Sequence, residues 1–400
     1  MYGQRVHIRL IVKTCCLFLI LLSMNACHTL RNTTDLTAPR DGKLIDKKAT
    51  PEAVALHEKL KQISKNGFAI GHQDATAYGV NWRYKDSLNA YWSDIKDVTG
   101  DYPAVFGFDL GHIELESAHN LDTVSFVLIR ELIRKAAAKG GVVTLSWHLD
   151  NPTTNGSSWD TSKSVKDILK GGSDREKYEL WVSRLADFLN SLEDFSGRKI
   201  PVIFRPFHEM NGSWFWWGAG SSTSIEYKAL WVETLSLLIN KHDIHHLIYA
   251  YSPNTISNEN EFNRFYPGDR YVDILGVDIY NHNGDEAFIK DVTGNLSILK
   301  KLAGEKNKIF ALTETGNTKK PTEDWWTRVL YPSVKDSGIT WLLLWRNARP
   351  NHYFAPYPGI ISEQDFVLFK SFNDTLFLDD INLIKSNPAS QNKPNNQLEK

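Results

Sequence analysis

Four hundred residues with 42% apolar content and 23% charged residues can bury one large core, and α/β barrels of this length commonly form a single domain. The formal net charge is −1, with 46 Lys and Arg against 47 Asp and Glu, so no chain-wide positive field exists for gripping phosphates. That balance argues against a nucleic acid or another polyanion as partner.

Taken in chain order, the N-terminus reads as a targeting segment. Arg5, Arg9 and Lys13 supply a positive region, and Cys15 to Leu22 an apolar run too short to span a bilayer comfortably. The segment ends in Leu22-Ser23-Met24-Asn25-Ala26-Cys27, which resembles the lipobox of bacterial lipoproteins while departing from it at Met24 and Asn25. The resemblance implies a signal over 1–27 with Cys27 lipidated; the alternative is a plain cleaved signal. All three cysteines lie at or before position 27, so the mature fold has none for a disulfide, a thiolate metal site or a nucleophile. Residues 28–50, polar and aperiodic, read as a flexible tether, and 386–400, rich in Asn, Gln, Pro, Lys and Ser, as a disordered tail.

Between them, residues 51–385 alternate short apolar runs with longer amphipathic segments, the pattern of parallel strands joined by crossover helices. The expected strands are 67–73, 102–110, 141–149, 200–210, 246–253, 273–280, 309–316 and 339–347. Helical stripes recur at three- and four-residue spacing: Phe126, Ile129, Ile133 and Ala136; Trp181, Leu185, Phe188 and Leu192; Tyr227, Trp231, Leu235 and Leu238. An open doubly wound sheet would show the same alternation, but no strand is followed by a Gly-rich phosphate loop. The expectation is a single-domain (β/α)8 TIM barrel.

Nearly every run starts apolar and turns polar or aromatic at its C-terminal end: His72 and Asp74, Asp109, Trp147 and His148, Arg205, His208 and Glu209, Asp278 and Tyr280, Glu314, Trp345 and Arg346. A barrel of this type packs its core below and assembles its site from strand ends above, so these residues should meet on one rim. Glu209 and Glu314 close the fourth and seventh strands, which face each other across the mouth. Paired carboxyl groups so placed suit glycoside hydrolysis, one protonated to assist the leaving oxygen and one ionised to attack the anomeric carbon. Thirteen Trp and fifteen Tyr add flat rings suited to stacking on sugar faces.

At this point the chain resembles glycoside hydrolase family 26 β-mannanases over roughly 52–350. The most specific stretch is RPFHEMNGSWFWWG at 205–218, supported by SWHLDNP at 146–152, YSPN at 251–254, FYPGDRYVDILGVDIY at 265–280, TETG at 313–316 and LLWRN at 343–347. The resemblance implies a retaining double displacement on β-1,4-mannan or manno-oligosaccharides, with Glu209 as acid/base and Glu314 as nucleophile. Such a mechanism predicts carboxyl groups about 5–5.5 Å apart. It further implies that Tyr280 bonds the nucleophile and that His208 tunes the acid. Trp345 would lie beneath the sugar being cleaved, with His148 and Trp214 beside it, and Arg346 would clamp one sugar further toward the non-reducing end. Asp278, Trp159, Trp217 and Glu116 are secondary candidates. No metal or cofactor is required, and a monomer is expected.

The neighbouring residues also have plain readings. Trp214, Phe215, Trp216 and Trp217 cannot all face a sugar, so Trp214 is assigned to the site and Trp216 to the core. Trp325 and Trp326 read as packing, and Arg205 as a partner of a carboxylate deeper in the barrel. His242, His245 and His246 fall on the opposite rim from His208, against a shared metal site. Three alternatives stay open: mannobiose-releasing exo action if loops such as Asn151–Gly172 wall the cleft, the same chemistry on β-1,3-xylan or mixed-linkage β-glucan, and a noncatalytic carbohydrate-binding lipoprotein. The anchor at Cys27, followed by His28, Thr29 and Leu30 without an acidic cluster, leads to an expected location on the periplasmic face of the outer membrane.

Overall fold

A computed structural model describes residues 43–84, 91–318 and 322–384. The targeting segment, Cys27, most of the tether and the tail at 386–400 lie outside the described residues.

Eight parallel strands close into a barrel: β1 (Phe68–Gln73), β2 (Val105–Asp109), β3 (Val142–Trp147), β4 (Val202–Pro206), β5 (Leu247–Tyr251), β6 (Ile274–Asn281), β7 (Ile309–Asn317) and β8 (Trp341–Leu344). Closure comes from β1 pairing with β8, Ala69 opposite Trp341 through His72 opposite Leu344. Nearly every strand residue is buried, as expected when one face fills the barrel and the other is covered by helices. The expected strands are all present; six are shorter than expected, while β6 and β7 run one residue further, to Asn281 and Asn317.

The helical stripes face inward as their spacing requires. Phe126, Ile129, Ile133 and Ala136 lie in the helix Phe126–Ala138, and Trp181, Leu185 and Phe188 in Arg175–Asn190; all are buried. The helix Ser224–Ser236 opens with a reciprocal cap, in which Thr223 accepts from the Glu226 amide while the Glu226 carboxylate accepts from the Thr223 amide.

Three features depart from the expectation. The segment read as tether is packed at its end: Leu44, Ile45 and Asp46 are buried, the Ile45 amide donates to Asp273 at 2.8 Å, and Asp46 pairs with His245 at 2.7 Å. Two apolar residues are too few to register as a periodic element, yet they suffice to cover the strand-start end of the barrel. A ninth strand, β9 (Thr375–Leu376), joins the start of β1 opposite Phe68 and Ala69, while β2 pairs only from Gly71 onward. A hairpin, Tyr78–Gly79 with Trp82–Arg83, rises from the loop after β1.

The register between β6 and β7 slips at one point. Val277 lies opposite Leu312, but the next residue, Asp278, lies opposite Glu314. On the other side, Leu342 of β8 faces Leu312 and Leu344 faces Thr315. Thr313 is therefore an extra residue in β7, a β-bulge that re-aims the side chains beyond it. Its hydroxyl donates to Asp278 Oδ1 at 2.7 Å, and Gly276 leaves the room, because a Cβ there would stand 2.6 Å from the Thr313 hydroxyl.

Candidate active site

The bulge brings Glu314 level with Asp278 and beside Arg205 of β4. Arg205 is 2% exposed and binds three partners: Glu314 Oε1, Asp278 Oδ2 at 3.0 Å and the Ser252 hydroxyl at 3.1 Å. Burial opposes its charge, but the two carboxylates outweigh it and raise its pKa above the ordinary arginine range. The second Glu314 oxygen accepts from the Tyr280 hydroxyl at 2.8 Å. Burial, reinforced by the charge of Glu314, keeps that phenol protonated well beyond its usual range. Glu314 is thus held by one cationic and one neutral donor, each on a different strand, and its direction is fixed before any ligand arrives.

Glu209 stands on a different kind of support. After β4 the backbone enters the left-handed region twice, at Phe207 (φ 50°) and Glu209 (φ 54°), a conformation that costs free energy for residues with a Cβ and persists where surroundings enforce it. The enforcement is visible. Tyr227 donates to the Phe207 carbonyl at 3.0 Å, Trp217 to the His208 carbonyl at 2.8 Å, and the Glu209 amide to the Ser252 carbonyl at 2.8 Å. The Glu209 carboxyl receives Trp214 Nε1 at 2.8 Å and Asn254 Nδ2 at 2.9 Å. Burial, and then the charge of Glu314, nonetheless push its pKa up to about 7.

His208, between the two strained residues, is 3.9 Å from Glu314 through Nε2. Burial and the nearby Arg205 hold it neutral, well below the usual histidine range. Its ring meets His148 edge-on at 4.5 Å between centroids. His148 behaves oppositely. Burial alone would lower its pKa, but Asp109 at 2.6 Å and the charge of Glu314 raise it. Asp109 in turn is lowered to about 2, since His148, Ser146 and the Gly111 amide together outweigh its burial. Around this pair stand Trp345 (6.3 Å from His148), Phe215 (5.4 Å) and Trp159, stacked on His148 at 5.5 Å and 17°.

Trp159 is 50% exposed and arrives on the 151–172 loop. That loop winds around Asn151, whose amide donates to the Asp160 and Ser162 carbonyls while its oxygen accepts from the Thr153 and Thr154 amides.

Glu209, Glu314, His148, His208, Trp214, Tyr280 and Trp345 therefore share one cleft, with Trp214 38% exposed and Trp216 fully buried, as read from the sequence. Arg346 sits at the margin, paired with Asp122 at 2.8 Å and 3.3 Å from the Tyr78 hydroxyl. Trp325 and Trp326 pack against each other in the core. His245 pairs with Asp46 and Asp243, and His246 bonds the Leu189 carbonyl.

Four assignments change. Asp278 is fully buried and serves Arg205, Ser252 and Thr313 rather than a ligand. Trp217 is fully buried under Phe215, 4.4 Å away and nearly parallel. Glu116 points to solvent and pairs with Arg184. Trp147 turns from the rim, its N–H donating to the buried Glu114 at 3.0 Å. The sequence reading did not find Asn254 as a partner of Glu209, although the YSPN run contains it. Nor did it pair Arg205 with Glu314 itself.

A family model described as glycosyl hydrolase family 26 matches residues 45–328. The chain belongs to that family. Among its relatives, the mannan endo-1,4-β-mannosidase of Bifidobacterium adolescentis is 35% identical over 284 residues, covering 68% of this chain and 28% of that protein. The mannan endo-1,4-β-mannosidase of Bacillus subtilis is 33% identical over 232 residues, covering 56% of this chain and 60% of that one. The match thus spans less than two thirds of the length of either. The solved family 26 β-mannanase from Bacteroides ovatus superimposes with a TM-score of 0.80 at 43% identity, over 83% of this chain and 96% of that chain. A family 26 structure from Muricauda sp. gives 0.79 at 32%, over 86% and 96%.

Proposed function

We propose that this family 26 chain is a retaining endo-β-1,4-mannanase acting on mannan, glucomannan, galactomannan or their oligosaccharides. The observation that carries the reading is the unlike environment of the two glutamates: Glu209 raised to about 7 by burial and by Glu314, Glu314 gripped by Arg205 and Tyr280. A carboxyl group still protonated near neutrality can donate to the departing glycosidic oxygen.

In this mechanism Glu314 attacks the anomeric carbon as the bond to the leaving sugar breaks, and the Glu209 proton goes to the leaving oxygen. A mannosyl–Glu314 ester results. Glu209, now ionised, takes a proton from water as the water oxygen attacks the anomeric carbon from the face opposite the ester. The bond from that carbon to Glu314 breaks, the carboxylate leaves, and the sugar is released with its original configuration. Once the attacking carboxylate is neutralised in the ester, its upward pressure on Glu209 disappears, so the same residue becomes a better base for the second step. Trp345, Trp214, His148 and Trp159 would supply stacking faces and hydrogen bonds for the reacting sugar and its neighbours.

The test monitors products from β-1,4-mannan, β-1,3-xylan, mixed-linkage β-glucan and cello-oligosaccharides, with Glu209→Ala and Glu314→Ala beside the parent. Mannan hydrolysis lost in both variants, with a spread of product lengths, is the expected result. Cleavage of another polymer instead would overturn the substrate, and exclusive early mannobiose the endo action. Retained binding without cleavage of any polymer would overturn the enzyme reading.

For placement in the cell the proposal is a lipid anchor at Cys27 on the periplasmic face of the outer membrane. Its support is the basic and apolar run before Ala26-Cys27. Fractionation of cells expressing Cys27→Ala should move the protein from the membrane to the soluble periplasm; unchanged membrane association would refute the anchor.

A further inference from the structure

The hairpin after β1, together with the chain just before Asp94, carries an aromatic surface that the cleft does not use. Trp92 is 44% exposed, and its ring centroid lies 6.5 Å from that of the half-buried Trp82, with the rings tilted by 38°. Trp82 is fixed in place: its indole N–H donates to Asp94 Oδ1 at 2.7 Å, and it lies so close over Gly79 that a Cβ there would stand 2.1 Å from Nε1. Asp94 is buried and also accepts from the Val80 amide at 3.0 Å and from Asn347 Nδ2 at 2.9 Å. The same carboxylate therefore ties the hairpin to the residue after Arg346.

A second tie runs through Tyr78, which lies opposite Arg83 in the hairpin. Its hydroxyl is 3.3 Å from Arg346, and the Arg83 guanidinium lies 4.6 Å over its ring. The indole pair is thus tied to the Arg346 margin of the cleft.

We propose that Trp82 and Trp92 form a distal glycan platform, on which the pyranose faces of a β-linked polysaccharide stack beyond Arg346. The inference rests on the functional reading above and deepens it. Tilted indoles match a chain that turns from one sugar to the next, and a pre-fixed Trp82 loses little freedom on binding, which favours affinity. Asn81 and Arg83, both exposed beside the rings, offer donors and acceptors to hydroxyl groups. A chain held there runs past the clamp rather than ending at it, so the platform belongs with endo action.

The test uses the full chain and Trp92→Ala, with Trp82→Phe as a second variant that keeps ring packing while giving up the wider face. Retardation of each, in a Glu314→Ala background, is read by electrophoresis through gels containing soluble mannan. In the active background, kcat/KM on mannohexaose is divided by that on mannotriose. Stacking of one ring should weaken retardation, and lower that ratio, by roughly 3- to 10-fold. Parent-like retardation and ratio in both variants would overturn the platform while leaving the mannanase reading intact. So would a changed oligomeric state in sedimentation with parent-like glycan affinity, which would make the rings a contact between copies. A parent that neither binds nor cleaves mannan would overturn the functional reading, and the platform with it.

Discussion

Replacing Trp214 by Phe keeps the ring but removes the N–H that donates to Glu209 at 2.8 Å. A hydrogen bond to a charged acceptor is worth about 1.5–3 kcal/mol, and 1.36 kcal/mol corresponds to about one pH unit. Trp214 is 38% exposed, so water replaces part of the lost donor, and the effect should fall to about half to one unit. The sign is set by which form is favoured: the donor stabilises the carboxylate, so losing it raises the Glu209 pKa above its present value of about 7. The alkaline limb of kcat/KM on mannan should therefore move up by that amount, with activity retained at higher pH. Glu314→Gln should act in the opposite direction, because Glu314's charge is one of the causes raising Glu209; with turnover lost, the midpoint is read by carbon NMR of labelled glutamate. An alkaline limb that stays in place or moves down in Trp214→Phe, or an unmoved Glu209 midpoint in Glu314→Gln, would refute this account of the acid.

Tyr280→Phe removes the neutral donor to Glu314 and should lower kcat/KM by about 10- to 100-fold, measured on mannan at the parent's optimum; a loss under threefold would count against the role. Arg205→Met leaves Asp278 and Glu314 buried without their cation and should cost about 3–5 kcal/mol by denaturant unfolding; adding Asp278→Asn should recover part of it, and an additive loss would contradict the network. Asp109 titrates near 2 in the fold against 3.8 ordinarily, so it contributes about 2 kcal/mol, fully present above about pH 4 and lost as pH falls toward 2. Asp109→Asn should accordingly be less stable than the parent at pH 6 and nearly level with it at pH 2; equal losses at both would refute the linkage.

Much of this molecule is legible from local pattern, because the barrel repeats one physical unit. Apolar runs bounded by polar ends mark strands, and the stripe Tyr227, Trp231, Leu235 and Leu238 marks a face that can only point inward. Glu209 and Glu314 stand out for the same reason, each a carboxyl at the end of an otherwise apolar run. What local pattern cannot carry is pairing set by closure. Asp278 has the look of a rim residue by position, yet its carboxylate is buried and bonded to Arg205, Ser252 and Thr313, and the register slip at Thr313 is what brings Glu314 level with it. Asn254 reaches Glu209 across 45 residues of sequence, and Leu44 and Ile45 find their place only against the floor of the finished barrel. No period in the chain encodes these contacts.

The extra residue in β7 has a consequence for anyone rebuilding this protein. Glu314 is aimed by a count of backbone units between Leu312 and Asp278's level, and not by the identity of Thr313 alone. Substitution at 313 perturbs one hydroxyl's bonds, whereas closing the bulge with the chain length kept would pair Thr313 with Asp278, move Glu314 opposite Ile279 and send its side chain to the other face of the sheet. Chimeras between homologous barrels should therefore cross over after Gly316 or before Ile309, so that the slip travels intact with the glutamate it serves.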